Sequence, residues 1–185
     1  SCSARISIYR NSGGLYTPET ILASYVIETM GEESDCFSLD DGLHIGVYDK
    51  HLKSKGLLST IKSSSANLYV LASLEKKRKN LDELLLLNSD KRPIEGTNSN
   101  FFILKYGKIF TQPLSEGPLS GCMRSLIISV LDVEENILRL SDIQTADEIF
   151  FTNCNGVRYV KKFGQFKEYN NTITKKVVQK LNALI

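Results

Sequence analysis

The sequence predicts an α+β fold, and three observations carry that reading. Leu81-Asp-Glu-Leu-Leu-Leu-Leu87, with four leucines in a row, ends in the turn-forming stretch Asn88–Pro93 and reads as a buried strand. Phe101–Lys105 and Lys108–Thr111 flank Tyr106-Gly107 as the arms of a hairpin. Two segments carry apolar residues at helical spacing: Gly121–Val130, with Met123, Leu126, Ile127 and Val130, and Thr172–Leu184, with Ile173, Val177, Leu181 and Leu184. Hairpins separated by single helices are the α+β pattern.

Taken in order, Ala4–Arg10 alternates as a strand and Asn11-Ser-Gly-Gly14 breaks it. Thr17-Pro18-Glu19 begins a connection, and Ile21–Thr29 fits either a strand or a short helix. Gly31–Asp41 is acidic and turn-rich. His44–Tyr48 reads as a strand, and Asp49–Lys55 as a basic, mobile connection. A helix is expected from about Ser64, with Ser63–Ser65 as N-cap residue types and Leu68, Leu71 and Ala72 at helical spacing. It runs out in Glu75-Lys-Lys-Arg-Lys79, where cations suit the negative end of the helix dipole. Pro113–Leu119 is loop, Ile137–Leu140 a strand, and Ser141 opens a short helix through Ala146. Ile149–Thr152 and Val157–Val160 flank the turn signal Asn155-Gly156.

Composition narrows the function classes. A chain of 185 residues is by default one domain with room for a second small lobe. A net charge of +2 gives no electrostatic case for nucleic acid or a membrane surface, and no apolar run reaches membrane-spanning length. Cys2, Cys36, Cys122 and Cys154 form no CxxC pair, so reduced thiols in a cytoplasmic protein are expected. No GxGxxG, GxxxxGK[ST], GxSxG or HExxH occurs. His44 and His51 are poorly spaced for a metal site with the scattered cysteines, so none is expected.

Lys62 is the residue of greatest chemical interest. Leu57, Leu58 and Ile61 lead into it, and a helix follows. If its neighbours are buried, desolvation favours the neutral amine, a nucleophile suited to imine chemistry. The plain alternative is a lysine reaching water from a helix start. Glu95 precedes the small and amide residues Gly96–Asn100, either as an exposed turn carboxylate or as the partner of a ligand cation. Gly121-Cys122-Met123 opens a helix whose free N–H groups suit a phosphate or water. Thr152-Asn153, ending a strand, offers further donors to the same phosphate or serves only as a turn. A lysine, a carboxylate and two donor sites are what pyridoxal phosphate requires.

Five blocks in order resemble the class IV aminotransferases, the fold-type IV pyridoxal-phosphate enzymes. They are Ile61-Lys62-Ser63 through Tyr69-Val-Leu-Ala72, Leu81–Asn88 with Ile94-Glu95-Gly96 through Phe101, Thr111-Gln-Pro-Leu114, Leu119-Ser-Gly-Cys-Met-Arg124, and Ala146–Asn153. The resemblance implies the family's large C-terminal domain, a mixed sheet or pseudo-barrel with flanking helices. Residues 19–185 would be the cofactor-binding domain, and residues 1–18 the last strand and linker of a small N-terminal domain otherwise absent. It implies pyridoxal 5'-phosphate as cofactor and Lys62 as the Schiff-base lysine and proton shuttle. Glu95 would hold the ring nitrogen, Leu119 would pack on the ring face, and Cys122, Met123, Thr152 and Asn153 would surround the phosphate.

The family's usual Ile-Thr is Cys122-Met123 here, and Cys154 stands where a phosphate-binding Thr is common, so two hydroxyl contacts are lost. Asn67, five residues past Lys62, replaces the Tyr usual in branched-chain aminotransferases. Thr152–Arg158 and Lys167–Asn171 are closer to aminodeoxychorismate lyases. The expected function is therefore a 4-amino-4-deoxychorismate lyase that releases pyruvate to give 4-aminobenzoate. The alternatives are a branched-chain or D-amino-acid aminotransferase, and a non-catalytic paralogue or isolated domain. The resemblance also implies a homodimer.

Overall fold

A computed structural model describes residues 2–32, 36–39, 41–165 and 167–184. The chain forms two compact units, one ending at Cys36 and the other running from Phe37 to Leu184. The sequence expectation put the division between residues 18 and 19; here β1 (Cys2–Arg10) pairs antiparallel with β2 (Ala23–Glu32) in the same unit. Of Ile21–Thr29, the part from Ala23 onward is thus strand rather than helix, as its β-branched and aromatic residues favour. Part of the acidic stretch Gly31–Asp41 lies outside the described residues.

The second unit is built on a mixed sheet. Its strands are β3 (Leu43–Lys53), β4 (Glu83–Asn88), β5 (Pro93–Glu95), β6 (Asn100–Lys105), β7 (Lys108–Thr111), β8 (Val133–Glu135), β9 (Glu148–Asn153), β10 (Gly156–Phe163) and β11 (Lys167–Glu168). Their order is β5-β4-β3-β10-β9-β6-β7-β8, with β11 paired to β10. The pairs β3–β4, β3–β10 and β7–β8 are parallel, and the other pairs are antiparallel. Four helices accompany them: α1 (Asn67–Arg78), α2 (Cys122–Val130), α3 (Leu140–Thr145) and α4 (Thr172–Asn182).

The central strands are apolar on both sides because both sheet faces are covered. Alternate side chains point to opposite faces. Phe101, Ile103, Ile149, Phe151 and Leu85 enter one core with Ile143 of α3 and Tyr169. Phe102, Leu104 and Phe150 enter a second core with Ile127 of α2 and Val177, Val178 and Leu181 of α4. Leu84, Leu86 and Ile94 pack with Tyr48 and Ala72 of α1 in a third. This arrangement explains why Leu84–Leu87 and Phe101–Ile103 read as unbroken apolar runs. Tyr106 and Gly107 both have positive φ, the left-handed pair a two-residue hairpin turn demands.

The structure changes several local readings. Asp49–Lys53 is not a loose connection but the second half of β3, which carries Lys53 opposite Asn88 of β4. Ile137–Arg139 is irregular, and the short edge strand lies earlier, at β8. The serines before α1 do not cap it: the helix starts at Asn67, with Ala66 at the N-cap and no side-chain cap hydrogen bond. On α2, Leu126 is 38% exposed while Arg124 is buried; Leu184 falls past the end of α4 and is exposed, while Thr174 and Val178 on that helix are buried. Period alone assigns an apolar stripe; buried hydrogen-bond acceptors moved these two. Arg124 Nη2 donates to the Gln112 carbonyl, and Thr174 donates through N–H and hydroxyl to Glu148.

Candidate functional site

Glu95 is the last residue of β5 and is 2% exposed. Of the two readings the sequence leaves open for it, the exposed turn carboxylate is excluded: Glu95 lies on a strand, and its burial makes its carboxylate consequential. Three donors converge on it. Lys53 Nζ lies 2.5 Å and the Tyr69 hydroxyl 2.7 Å from Oε1, and the Leu119 N–H lies 2.7 Å from Oε2. β3 supplies Lys53, α1 supplies Tyr69, and the loop before α2 supplies Leu119. Burial first, then the charge of Glu95 and the hydrogen bond to it, hold the Tyr69 phenol far above its ordinary range, so it stays a donor.

The residues after Glu95 are fixed by a second buried acid. Glu83 accepts from the Thr97 N–H at 2.9 Å and the Thr97 hydroxyl at 2.6 Å, and lies 3.4 Å from the Ser99 hydroxyl. Asn100 then ties strand to loop, since its Nδ2 donates to the Leu119 carbonyl at 2.8 Å. A Cβ on Gly121 would lie 2.2 Å from Asn100 Oδ1, so any larger residue at the start of α2 would have to displace the Asn100 amide. Asn100 also pairs in register with Thr152 on β9. Leu119, the start of α2 and the end of β9 are therefore brought to one place beside Glu95.

Within that cluster the expected residues take different parts. Leu119 is half-buried and Cys122 exposed. Met123 packs its side chain against the core beneath α2. The first N–H groups of α2, like those of any helix, lack an intrahelical acceptor, and no side chain caps them. Thr152 is buried and donates its hydroxyl to the Gly156 carbonyl at 3.2 Å. Asn153 donates to the Asn98 carbonyl and accepts from the Asn155 N–H.

Lys62 is exposed, and so are Leu57, Leu58 and Ile61 before it, the last 52% and the first two 81%. The expected desolvation of its ammonium is not present, because these apolar neighbours do not fold over it. Its backbone is nonetheless held near the cluster. The Ser120 N–H donates to the Thr60 carbonyl at 2.9 Å, two residues before Lys62 and one after Leu119.

Lys53, Tyr69, Glu83 and Asn100 are the residues sequence reading missed. Tyr69 lies within one of the five blocks that carry the resemblance, but the resemblance gives it no role. A period-2 reading carried past Tyr48 would have kept Lys53 on a strand; nothing local marks it as the partner of Glu95.

The loop carrying Leu119 is braced by Glu116, which is 5% exposed. Glu116 accepts from Asn88 Nδ2 at 2.9 Å and from Arg92 Nη1 at 2.8 and 2.9 Å. Burial opposes its charge, but the bonds from Arg92 and Asn88 outweigh it and hold the carboxyl below its ordinary value of 4.5. Its stabilisation is thus full above that value and is lost as pH falls through the depressed folded value. Glu116→Gln should cost about 2 kcal/mol at neutral pH, and the deficit should shrink below pH ~4. Urea midpoints across that range measure it, and a deficit constant with pH would show that the carboxylate charge is not what braces the loop.

A family model described as "Amino-transferase class IV" matches residues 2–163. The chain belongs to the class IV aminotransferase family. A relative from Methanocaldococcus jannaschii, named for branched-chain-amino-acid aminotransferase, is 34% identical over 119 residues, 61% of this chain and 41% of its own length. The aminodeoxychorismate lyase of Vibrio harveyi is 27% identical over 161 residues, 83% of this chain and 59% of its own. An aminotransferase from Brucella abortus, solved bound to the co-factor PLP, shares the fold with a TM-score of 0.81 and 19% identity, over 99% of this chain and 67% of its own. The chain thus spans between about two fifths and three fifths of the length of these curated relatives. The family and the α+β class expected from the sequence are borne out, as is a pyridoxal-phosphate enzyme family. Among the described residues no helix is long and apolar enough to cross a membrane.

Proposed function

We propose that this chain forms the cofactor-binding part of a pyridoxal-phosphate enzyme acting as a 4-amino-4-deoxychorismate lyase. The observation that carries the cofactor reading is Glu95: a buried carboxylate, steered by a backbone N–H and a phenol, beside an uncapped helix start. Those residues fit the cofactor. Glu95 would accept the N–H of the ring nitrogen, Leu119 would cover the ring, and the N–H groups of Cys122 and Met123 would meet the phosphate. Thr152 and Asn153 close that side, with their side chains set by Gly156 and Asn98. Bound there, the cofactor supplies an electron sink for charge released at a substrate carbon. Lys62 supplies the amine that anchors it and moves the proton at that carbon; its exposure leaves it free to reach a ligand.

The lyase reading is supported by the phenol nearest to Lys62 along α1. Position 67 is Asn, and Tyr69 is committed to Glu95, so no tyrosine of α1 is left for the place usual in branched-chain aminotransferases. The 83% span of similarity to the Vibrio lyase agrees. Aminotransfer is the second reading, favoured by the 34% identity to the Methanocaldococcus relative. Incubation of the intact enzyme with aminodeoxychorismate tests the choice. Pyruvate release supports the lyase; amino transfer to 2-oxoglutarate without pyruvate reverses it. A homodimer in the cytoplasm, with a small N-terminal lobe completing the pocket, belongs to the same reading.

A further inference from the structure

We infer that Lys53 is the resident cation of the Glu95 carboxylate, and that cofactor loading exchanges it for the ring nitrogen; this rests on the pyridoxal-phosphate reading above. Several buried acids in this unit serve the scaffold: Glu83 fixes the 97–99 loop, Glu116 braces the loop before α2, and Glu148 accepts from the first turn of α4. Glu95 differs in lying in the cluster that gathers the expected cofactor residues.

Its lone pairs are almost spent. Each carboxylate oxygen has room for about two donors. Oε1 holds both Lys53 Nζ, at 2.5 Å, and the Tyr69 hydroxyl, at 2.7 Å. Oε2 holds the Leu119 N–H. A second cation on this carboxylate would stand within a few ångströms of the first. One negative charge cannot neutralise both, and in a site where the two side chains are 11% and 3% exposed the repulsion is weakly screened.

Oε2 keeps room for one further donor, so charge rather than lone pairs decides, and one of the two cations must yield. The Leu119 N–H is fixed by backbone, and the Tyr69 hydroxyl is neutral and rigidly held. The Lys53 ammonium carries the competing charge on a flexible four-carbon stem that is 11% exposed. It also lies 5.4 Å from the Tyr69 ring centroid, a contact given up on the same swing. The device has a clear use. A buried carboxylate left without a cation is strongly destabilising, and Lys53 removes that cost while the cofactor is absent. The consequence is a weaker apparent affinity, because loading must first break an ion pair.

Competitive acetylation of lysines in the intact protein, read by peptide mass spectrometry, tests this. Without cofactor, Lys53 should label slowly and Lys62 quickly. Added pyridoxal 5'-phosphate should invert the order, with Lys53 labelling about tenfold faster and Lys62 protected. Protection of Lys62 with Lys53 still slow would overturn the exchange and leave the cofactor reading standing. No change at either lysine would overturn both. In cofactor-free protein, Glu95→Gln should free Lys53 to label at once; a slow Lys53 there would mean that something else shields it. Lys53→Met should tighten cofactor binding about tenfold by equilibrium dialysis, and equal or weaker binding would count against competition.

Discussion

Lys62→Ala removes the covalent hold on the cofactor and lowers turnover about 10⁴-fold, the scale of a lost general acid–base group. The expectation follows from position. Lys62 sits two residues past Thr60, whose carbonyl is tied to Ser120, and Ser120 adjoins the loop residue that reaches Glu95. Its exposure matters to the result: removing a solvated side chain from an irregular segment leaves no cavity and no unpaired partner, so the fold should survive the change. Borohydride treatment of the loaded wild-type enzyme should fix cofactor to the peptide holding Lys62, and the variant should show no such adduct. An adduct mapping to Lys53 would move the anchoring role to β3 and undo both the site assignment and the exchange.

Glu95→Gln should lower turnover about 10³-fold while cofactor occupancy falls far less. An amide keeps the shape and can accept a bond, but it cannot carry the negative charge that keeps the ring nitrogen protonated. The same change strands the Lys53 ammonium, which is only 11% exposed, so some loss of cofactor-free stability should accompany it. Absorbance of the bound cofactor and steady-state rates, taken on the same preparation, separate the two effects. Unchanged turnover would remove Glu95 from the chemistry; lost occupancy with normal turnover per bound cofactor would make it a binding residue only.

Much of the architecture was legible because the sheet is covered on both faces. Leu84–Leu87 and Phe101–Ile103 have nowhere to place a polar residue, so the runs stand out. Gly107 and Gly156, both at positive φ, announce the hairpins at Tyr106-Gly107 and Asn155-Gly156. The readings that failed did so where burial was decided by a distant partner. Nothing local in the sequence chose between the two readings of Glu95, because β5 is three residues long and borrows its pairing from β4. Lys53 looked like part of a mobile connection because its strand is held by β4 and its charge by Glu95.

By itself, the sequence determined the α+β class, the order of most strands and helices, and, through five ordered blocks, the family. Local propensity, turn chemistry and residue identity suffice for that, since each acts within a few positions along the chain. The tertiary structure alone decided that Glu95 is buried, that Lys62 is exposed, and that a second lysine occupies the carboxylate. Those are questions of which groups lose water and which charges meet, and residues 42 positions apart along the chain, such as Lys53 and Glu95, meet only when the sheet has formed.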